Sequence, residues 1–349
     1  MRTIDLKTQH DKCRIIIGGH LKDAGKLIPS GRLVIITDRN VKELYHSEFP
    51  EGLIIDIEPG EKSKTLEMAS VIYRKLLDYE LDRKDFILAI GGGVVCDLAG
   101  FIASTYMRGV PYGFVASTLL AQVDASIGGK NGINLMGFKN IIGVVRQPEF
   151  VVCDLKMLTT LEKKDYIGGI AEVIKYGAMM DRDMFEFCES HIQDILAMKT
   201  EILEEVVFRS VKNKCIIVEE DEYETGARMK LNFGHTFAHA LEKITGITHG
   251  EAVAVGMNLA SAVSVKLGFL KEDDSSRLKT LTQQTGLPVA MEVNPNDLFL
   301  AIRKDKKKAG SGIQLILLEG IGKSLVHFTD IDIMKEILND MYRYSIQKL

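Results

Sequence analysis

The segment Phe86-Ile-Leu-Ala-Ile-Gly91-Gly92-Gly93-Val-Val-Cys96-Asp97-Leu-Ala-Gly100 predicts a buried strand that runs through three glycines into a helix. Such a turn presents backbone N–H groups at the start of the helix, where an anion such as a pyrophosphate is stabilised. The dinucleotide-binding pattern Gly-x-Gly-x-x-Gly is met only in its first two glycines, because Cys96 occupies the third position. A tight strand-to-helix turn without a ligand is therefore an equally good interpretation.

Asp38 ends an earlier β-branched run, Leu33-Val-Ile-Ile-Thr, and is a better candidate for binding a ribose hydroxyl than any residue after the glycines. The alternative role for Asp38 is an ordinary helix cap before Val41.

The segments around the glycine turn alternate short apolar runs with helical patterns. Strands are predicted at 33–37, 53–57, 86–90 and 112–115, which is typical of an α/β open sheet of the Rossmann-like kind. Long helical patterns dominate further on, at 185–198, 203–218, 231–244 and 252–267, followed by a short strand at 312–318 and a terminal helix at 331–346. We therefore predict an α/β domain at 1–155 and a mostly α-helical domain at 156–349.

Composition excludes several classes of protein. The net charge is −4, so nothing at the level of the whole chain favours nucleic acid. The five cysteines are scattered and never form a Cys-x-x-Cys pair, which fits neither a disulfide framework nor a zinc finger. We expect no membrane span and no secretion signal, and a reducing cytoplasm is the simplest compartment.

Histidines concentrate in the stretch Arg228-Met-Lys-Leu-Asn-Phe-Gly-His-Thr-Phe-Ala-His-Ala-Leu-Glu, which is followed by His249-Gly-Glu. On one continuous helix, Asn232, His235 and His239 would share a face. Two histidines four residues apart are a weak signal of a metal site, and solvated or core-packed imidazoles remain the alternative. The third histidine, His249, strengthens the metal interpretation.

The segment from Ser117 to Asn140 crowds small residues around Asp124, Lys130 and Lys139, as phosphate-binding loops do. Four further motifs accompany it along the chain: Pro59-Gly60-Glu61-Lys62-Ser63-Lys64, Met107-Arg108-Gly109, Gly169-Ile-Ala-Glu172-Val-Ile-Lys175-Tyr-Gly and Asp305-Lys306-Lys307. In this order and with this spacing, the chain resembles the 3-dehydroquinate synthase family of sugar-phosphate cyclases over nearly its whole length.

The resemblance implies a lyase of the shikimate pathway that uses NAD and one divalent metal, zinc or cobalt. The implied reaction converts 3-deoxy-D-arabino-heptulosonate 7-phosphate to 3-dehydroquinate and phosphate through transient oxidation, phosphate elimination, reduction, ring opening and intramolecular aldol closure. It also implies a homodimer, in which Arg108 reaches into the partner's site. NAD then belongs to the domain at 1–155, and the metal and the substrate belong to the domain at 156–349.

The same resemblance assigns roles to individual residues. The implied metal ligands are Glu172, His235 and His249, in place of the pair His235 and His239 that spacing alone favours. The implied catalytic and substrate-binding residues are Arg108, Lys130, Asn140, Glu172, Lys175, Lys214, Arg228, Asn232, His239 and one of Lys306 or Lys307. The implied NAD-binding residues are Asp38, Asn40, Glu61, Lys64, Gly92, Gly93, Val94, Asp97, Ser117, Thr118, Asp124, Lys130 and Lys139, with 157–160 as a further lining segment.

Ordinary structural roles are alternatives to several of these functional assignments. Glu172 and Lys175 are three residues apart and would form a weak surface ion pair on an exposed helix. Lys214 and Arg228 would otherwise balance the acidic run at 219–222. Departures from the family pattern at Cys96, Ser117, Asn131, 135–136 and Glu162 concern the shape of the cofactor pocket more than its charge.

Two other enzymes and one non-catalytic protein remain as alternatives. A metal-dependent polyol dehydrogenase would release reduced cofactor, and it has no use for many cations around the metal. Another sugar-phosphate cyclase, acting on a substrate without a carboxylate, would leave Lys214 and Arg228 unmatched. A non-catalytic binding module would have little reason to keep all three proposed ligands.

Overall fold

The computed structural model of the chain describes residues 1–305 and 312–346. Over these residues the strands are β1 (Arg2–Lys7), β2 (Lys12–Ile17), β3 (Leu33–Asp38), β4 (Leu53–Ile57), β5 (Phe86–Gly91), β6 (Tyr112–Ala116), β7 (Lys130–Leu135), β8 (Phe138–Val145), β9 (Phe150–Cys153), β10 (Gly312–Gly320) and β11 (Lys323–Asp330). The helices are α1 (Arg39–Tyr45), α2 (Leu66–Asp78), α3 (Gly93–Thr105), α4 (Lys163–Met180), α5 (Arg182–Leu196), α6 (Thr200–Glu220), α7 (His235–Thr245), α8 (His249–Lys266), α9 (Glu272–Gln284), α10 (Pro295–Asp305) and α11 (Ile331–Ile346).

Residue contacts divide the chain into two compact units. Unit 1 comprises 1–166 and 198–223, and unit 2 comprises 167–197 and 224–349. The units differ from the predicted ranges chiefly in helix α6, which packs against β1 and β2 and so belongs to unit 1. This long-range packing has no counterpart in the local periodicity of the sequence.

Unit 1 is built on a seven-stranded sheet with the order β1-β2-β9-β6-β5-β3-β4. All neighbours are parallel except the hairpin of β1 and β2. Every residue of β5 is buried, as expected for a central strand covered on both faces. The four predicted strands and the α/β class are confirmed, whereas β1, β2, β7, β8 and β9 were not predicted.

One face of this sheet carries a continuous apolar core. Alternate residues of β5 (Phe86, Leu88 and Ile90) point into it, because successive side chains of a strand face opposite ways. The rings of Phe86 and Phe150 stack with centroids 5.7 Å apart. The core therefore holds β5 in register just before its glycine turn.

Unit 2 is mainly helical and contains one small hairpin, β10 paired with β11. The terminal helix and the strand near 312–318 are confirmed as α11 and β10. The continuous helix predicted over 231–244 is wrong, because a short 3-10 helix spans Ala227–Asn232 and α7 begins only at His235. Gly234 separates them with a φ of 79°, a conformation that glycine adopts without strain.

Two expectations from composition can be compared with the fold. All five cysteines lie in the described part of the chain, where they are free and buried. Among the described residues, no helix is long and apolar enough to cross a membrane.

Candidate metal centre

The first component of the centre is Glu172, which lies on α4 among apolar neighbours and is fully buried. Lys175, one turn further along the same helix, is also buried and forms an ion pair with the Glu172 carboxylate. The interpretation of this pair as a weak surface contact is therefore wrong. Burying two charges is expensive, so a paired carboxylate of this kind points to a site rather than to stabilisation of the fold.

His235 and His249 are the first residues of α7 and α8, and both direct Nε2 at the same carboxylate oxygen of Glu172. The distances to Glu172 Oε1 are 3.6 Å from His235 Nε2 and 3.3 Å from His249 Nε2. One ligand atom from each of the three residues lies within 4.8 Å of the other two. Among the described residues, this is the group of histidine, cysteine and carboxylate side chains that could hold a metal ion.

The three donors fit a divalent ion. Bonds of about 2.0–2.2 Å to a tetrahedral zinc separate neighbouring ligand atoms by roughly 3.3–3.6 Å. The two measured distances to Glu172 Oε1 fall in that range. Two imidazoles and one carboxylate also form a donor set that leaves a coordination position open for a substrate.

The outer nitrogen of each imidazole has its own partner. His235 Nδ1 lies 3.2 Å from the carbonyl oxygen of Phe233, and His249 Nδ1 lies 2.8 Å from Glu242 Oε1. An N–H at each Nδ1 donates to these acceptors, so Nε2 of each ring faces Glu172 and is the nitrogen presented to a metal. Both imidazoles are thus held in the orientation that binds metal through Nε2.

The two histidines have opposite shifts of pKa. Burial, reinforced by the positive charge of Lys175, lowers the pKa of His235 to about 3. Burial also disfavours the charged form of His249, but the hydrogen bonds to Glu172 and Glu242 outweigh it and raise the pKa of His249 to about 9. Two carboxylates around His249 therefore favour a cation at this position.

His239 lies beside this group but is not part of it. Its ring meets the ring of His235 edge-on, with centroids 5.6 Å apart. The spacing of His235 and His239 suggested a ligand pair, yet the structure brings His249 rather than His239 to Glu172.

Other predicted substrate-binding residues of unit 2 lie in the 3-10 helix before α7. Arg228 is only 1% exposed. Asn232 donates a hydrogen bond to Glu224 Oε1 at 2.5 Å. Glu224 and Glu242 were not singled out from the sequence, because their partners are known only from the fold. Lys306 and Lys307 lie outside the described residues.

Ion pairs join several predicted site residues of unit 1. Lys64, after β4, pairs with Asp97 on α3, and burial raises the pKa of Asp97 to about 6 although Lys64 opposes the shift. Lys214, on α6, donates to Asp124 Oδ1 and to the Asp124 carbonyl oxygen, both at 2.6 Å. Lys214 is thus paired with Asp124, which is a different partner from the acidic run at 219–222 that the sequence suggested.

The glycine turn is built as predicted, with β5 ending at Gly91 and α3 beginning at Gly93. Gly92 caps α3 without a side-chain hydrogen bond, and a Cβ on Gly92 would come 3.0 Å from the Thr118 side chain. A Cβ on Gly93 would come equally close, 3.0 Å, to Ala125. Val94 continues this first turn of α3.

Asp38 adopts the alternative role considered for it, since its side chain accepts a hydrogen bond from the Val41 N–H at 3.0 Å and caps α1. Asn40 is exposed on the same helix. The role of both residues toward a ribose stays a prediction.

The hairpin of β7 and β8 carries a further group of predicted residues. Lys130, Lys139 and Asn140 are exposed on it. Glu61 accepts a hydrogen bond at 2.7 Å from Asn134, whose side-chain oxygen accepts from the Asn140 N–H at 2.9 Å. Hydrogen bonds therefore connect the segment around Glu61 to the two strands of this hairpin.

The remaining predicted residues occupy separate positions in unit 1. Arg108 is exposed and has a φ of 67°. Ser117 follows β6 and is buried, and Thr118 accepts a hydrogen bond from the Ala121 N–H at 3.1 Å. Residues 157–160 lie in a 3-10 helix, where the Thr160 hydroxyl is 2.6 Å from the Tyr45 hydroxyl.

The sequence matches two family models, described as 3-dehydroquinate synthase N-terminal over residues 54–168 and 3-dehydroquinate synthase C-terminal over residues 169–308. A curated relative, the 3-dehydroquinate synthase of Thermoanaerobacter pseudethanolicus, is 42% identical over 346 residues, which cover 93% of this chain and 95% of the relative.

Solved structures show the same fold. A 2-deoxy-scyllo-inosose synthase complexed with carbaglucose-6-phosphate, NAD+ and Co2+ has a TM-score of 0.88 at 25% identity, covering 97% of this chain and 100% of that one. The 2-epi-5-epi-valiolone synthase of Streptomyces hygroscopicus subsp. jinggangensis 5008, with NAD+ and Zn2+ bound, has a TM-score of 0.88 at 24% identity, covering 99% of this chain and 100% of that one.

Proposed function

The chain belongs to the 3-dehydroquinate synthase family and is a lyase, and from this premise we propose how its own residues serve the reaction. The substrate is 3-deoxy-D-arabino-heptulosonate 7-phosphate, and the products are 3-dehydroquinate and phosphate. The observation that carries the proposal is the convergence of Glu172, His235 and His249 on one small volume.

We infer that these three residues hold one divalent ion, either zinc or cobalt. When bound, such an ion would supply Lewis-acid chemistry to the substrate's oxygens. Glu172 supplies a buried negative charge, and the two histidines supply Nε2 atoms whose rings are oriented by Phe233 and Glu242. His249, whose pKa is about 9, would lose a proton on binding the ion.

NAD is assigned to unit 1, where α3 begins at Gly93 directly after β5 and can present backbone N–H groups to a pyrophosphate. NAD would supply reversible hydride transfer at this site and would not be consumed in the overall reaction. In our assignment Asp38 and Asn40 contact the ribose, and Glu61, Lys64, Asp97, Ser117, Thr118, Asp124 and Lys139 line the rest of the cofactor site.

The substrate is an anion and the chain has a net negative charge, so binding requires a local group of lysine and arginine side chains. Lys175 and Arg228 are buried in unit 2 and can contribute strong, desolvated hydrogen bonds to a carboxylate or phosphate. We assign Arg228 and Lys214 to the carboxylate, and Lys130, Asn140 and Asn232 to the phosphate and neighbouring hydroxyls. His239, next to His235, is proposed to transfer a proton or to bind phosphate.

Three further assignments complete the proposal. The protein acts in the cytoplasm and forms a homodimer. Arg108 contributes to the site of the partner subunit, which agrees with its exposed side chain on a backbone held at positive φ.

Phosphate release from the heptulosonate phosphate is the experiment that tests this function. We expect release that requires NAD, stops on exhaustive chelation and returns with zinc or cobalt, with no net NADH in the absorbance at 340 nm. Full activity after chelation would contradict the metal centre. Steady accumulation of NADH with a polyol substrate would favour a dehydrogenase instead.

A further inference from the structure

We propose that Glu242 is a positioning residue for the metal centre, which holds the ring of His249 so that Nε2 faces Glu172. The inference rests on the proposed function, because it takes His249 to be a metal ligand. It adds a residue to which the sequence assigned no role.

The ring of His249 lies between two carboxylates. Its Nδ1 atom is 2.8 Å from Glu242 Oε1, and its Nε2 atom is 3.3 Å from Glu172 Oε1. Since the two nitrogens are on different edges of the imidazole, Glu242 lies on the side of the ring away from Glu172. Glu242 is accordingly not one of the three residues whose ligand atoms converge.

The local fold explains how Glu242 reaches His249 across a gap of seven residues. Glu242 lies in the last turn of α7, and Gly246 follows as the C-terminal cap with a φ of 73°. The chain then turns back and α8 begins at His249, where Thr248 and Glu251 form a capping box. The two acids near the start of α8 therefore have separate partners, Glu251 on the backbone of Thr248 and Glu242 on the imidazole.

A carboxylate at Nδ1 affects the ligand in two ways. It fixes the proton on Nδ1 and the orientation of the ring, and it increases the electron density available at Nε2. The corresponding partner of His235 is a neutral carbonyl, that of Phe233. The side chain of Glu242 is 8% exposed, so its hydrogen bond is not weakened by competition with bulk water.

Substitutions at Glu242 test this role without relying on activity. We would compare Glu242→Ala and Glu242→Gln with the matched control Glu251→Gln, which alters a carboxylate of the adjacent cap. The readouts are the dissociation constant for Co2+, from competition with a chromophoric chelator, and the visible absorption spectrum of the Co2+-loaded protein. Circular dichroism confirms folding.

The expected loss of affinity follows the usual effect of removing a residue that orients a metal ligand, about 10- to 100-fold. Glu242→Ala should lie near the upper end, and Glu242→Gln near the lower end, because the amide oxygen still accepts from Nδ1. Both variants should change the Co2+ spectrum, whereas Glu251→Gln should lower only thermal stability.

An unchanged dissociation constant and spectrum in both Glu242 variants would overturn the inference. If Glu242→Ala does not fold, Glu242→Gln decides in the same way. His249→Ala separates this outcome from failure of the proposed centre. If His249→Ala loses Co2+ binding while the Glu242 variants bind Co2+ like the wild type, only the positioning role is contradicted. If His249→Ala itself binds Co2+ like the wild type, the proposed metal centre is contradicted.

Discussion

Gly256 on α8 packs directly against Gly234, since a Cβ on Gly256 would come 2.3 Å from the carbonyl oxygen of Gly234. Gly234 immediately precedes His235, and α8 begins with His249. This contact of two glycines therefore sets the distance between the helices that carry both imidazoles. A larger residue must push α7 and α8 apart.

Gly256→Ala should destabilise the protein by about 1–3 kcal/mol, which is the usual cost of overpacking a tight interior. It should also weaken metal binding, because His235 and His249 separate. Urea unfolding and a metal titration measure the two effects.

Gly168→Ala is the matched control for that substitution. A Cβ at Gly168, on α4, meets Gly250 at 3.7 Å, an ordinary contact. Alanine there should be neutral or stabilising by up to about 1 kcal/mol. Equal destabilisation by the two variants would contradict the role given to the Gly234 contact.

His235→Ala should abolish metal retention and turnover together, because it removes one of three converging donors. His239→Ala should keep the metal and lose turnover, since its ring is adjacent to the centre but outside it. Metal content after dialysis, measured by atomic emission, distinguishes the two variants. The ligand assignment fails if His239→Ala, rather than His235→Ala, loses the ion.

Arg228→Ala should raise KM for the heptulosonate phosphate, since a charged hydrogen-bond donor is lost from a position that is 1% exposed. Loss of such a donor corresponds to about 10- to 100-fold in affinity. Metal content should be unchanged. Steady-state kinetics at fixed NAD provide the measurement, and an unaltered KM would rule out contact with the substrate.

Lys64→Met should raise the pKa of Asp97 above its value of about 6, because burial raises that pKa and Lys64 opposes the shift. A carboxyl whose pKa is raised on folding binds more protons in the folded state. Its contribution to stability therefore falls as pH rises from about 4 through the folded pKa.

In Lys64→Met this fall in stability should extend to higher pH than in the wild type. Urea unfolding between pH 4 and pH 8 measures it, and NAD affinity should fall in parallel. Identical pH profiles of stability for variant and wild type would show that the Lys64 ammonium does not lower the pKa of Asp97.

The parts of the fold that follow a local period were predictable from sequence. The buried run at β5 and the glycines after it determine a strand and a helix start through nearest neighbours alone. Helix α6 could not be assigned to unit 1 in this way, because its packing against β1 joins segments about two hundred residues apart. The break before α7 depends on Gly234 lying against Gly256, which is a tertiary contact.

The candidate centre was likewise predictable from local sequence only in part. Helical spacing suggested His235 with His239, which are indeed neighbours, but it carries no information on Glu172, which lies 63 positions earlier. The family resemblance added Glu172 and placed His249, already a candidate from the sequence, among the ligands in place of His239. The contacts of Glu242 and Gly256 join α7 to α8, so they depend on tertiary packing and have no signal in the local sequence.

Anomalous scattering from a crystal of the cobalt-loaded protein tests most directly whether one ion lies among Glu172, His235 and His249. We expect a single peak at the cobalt edge, about 2.0–2.2 Å from Glu172 Oε1 and from Nε2 of each histidine. A stoichiometrically loaded crystal whose peak lies elsewhere would contradict the metal centre and the chemistry proposed from it.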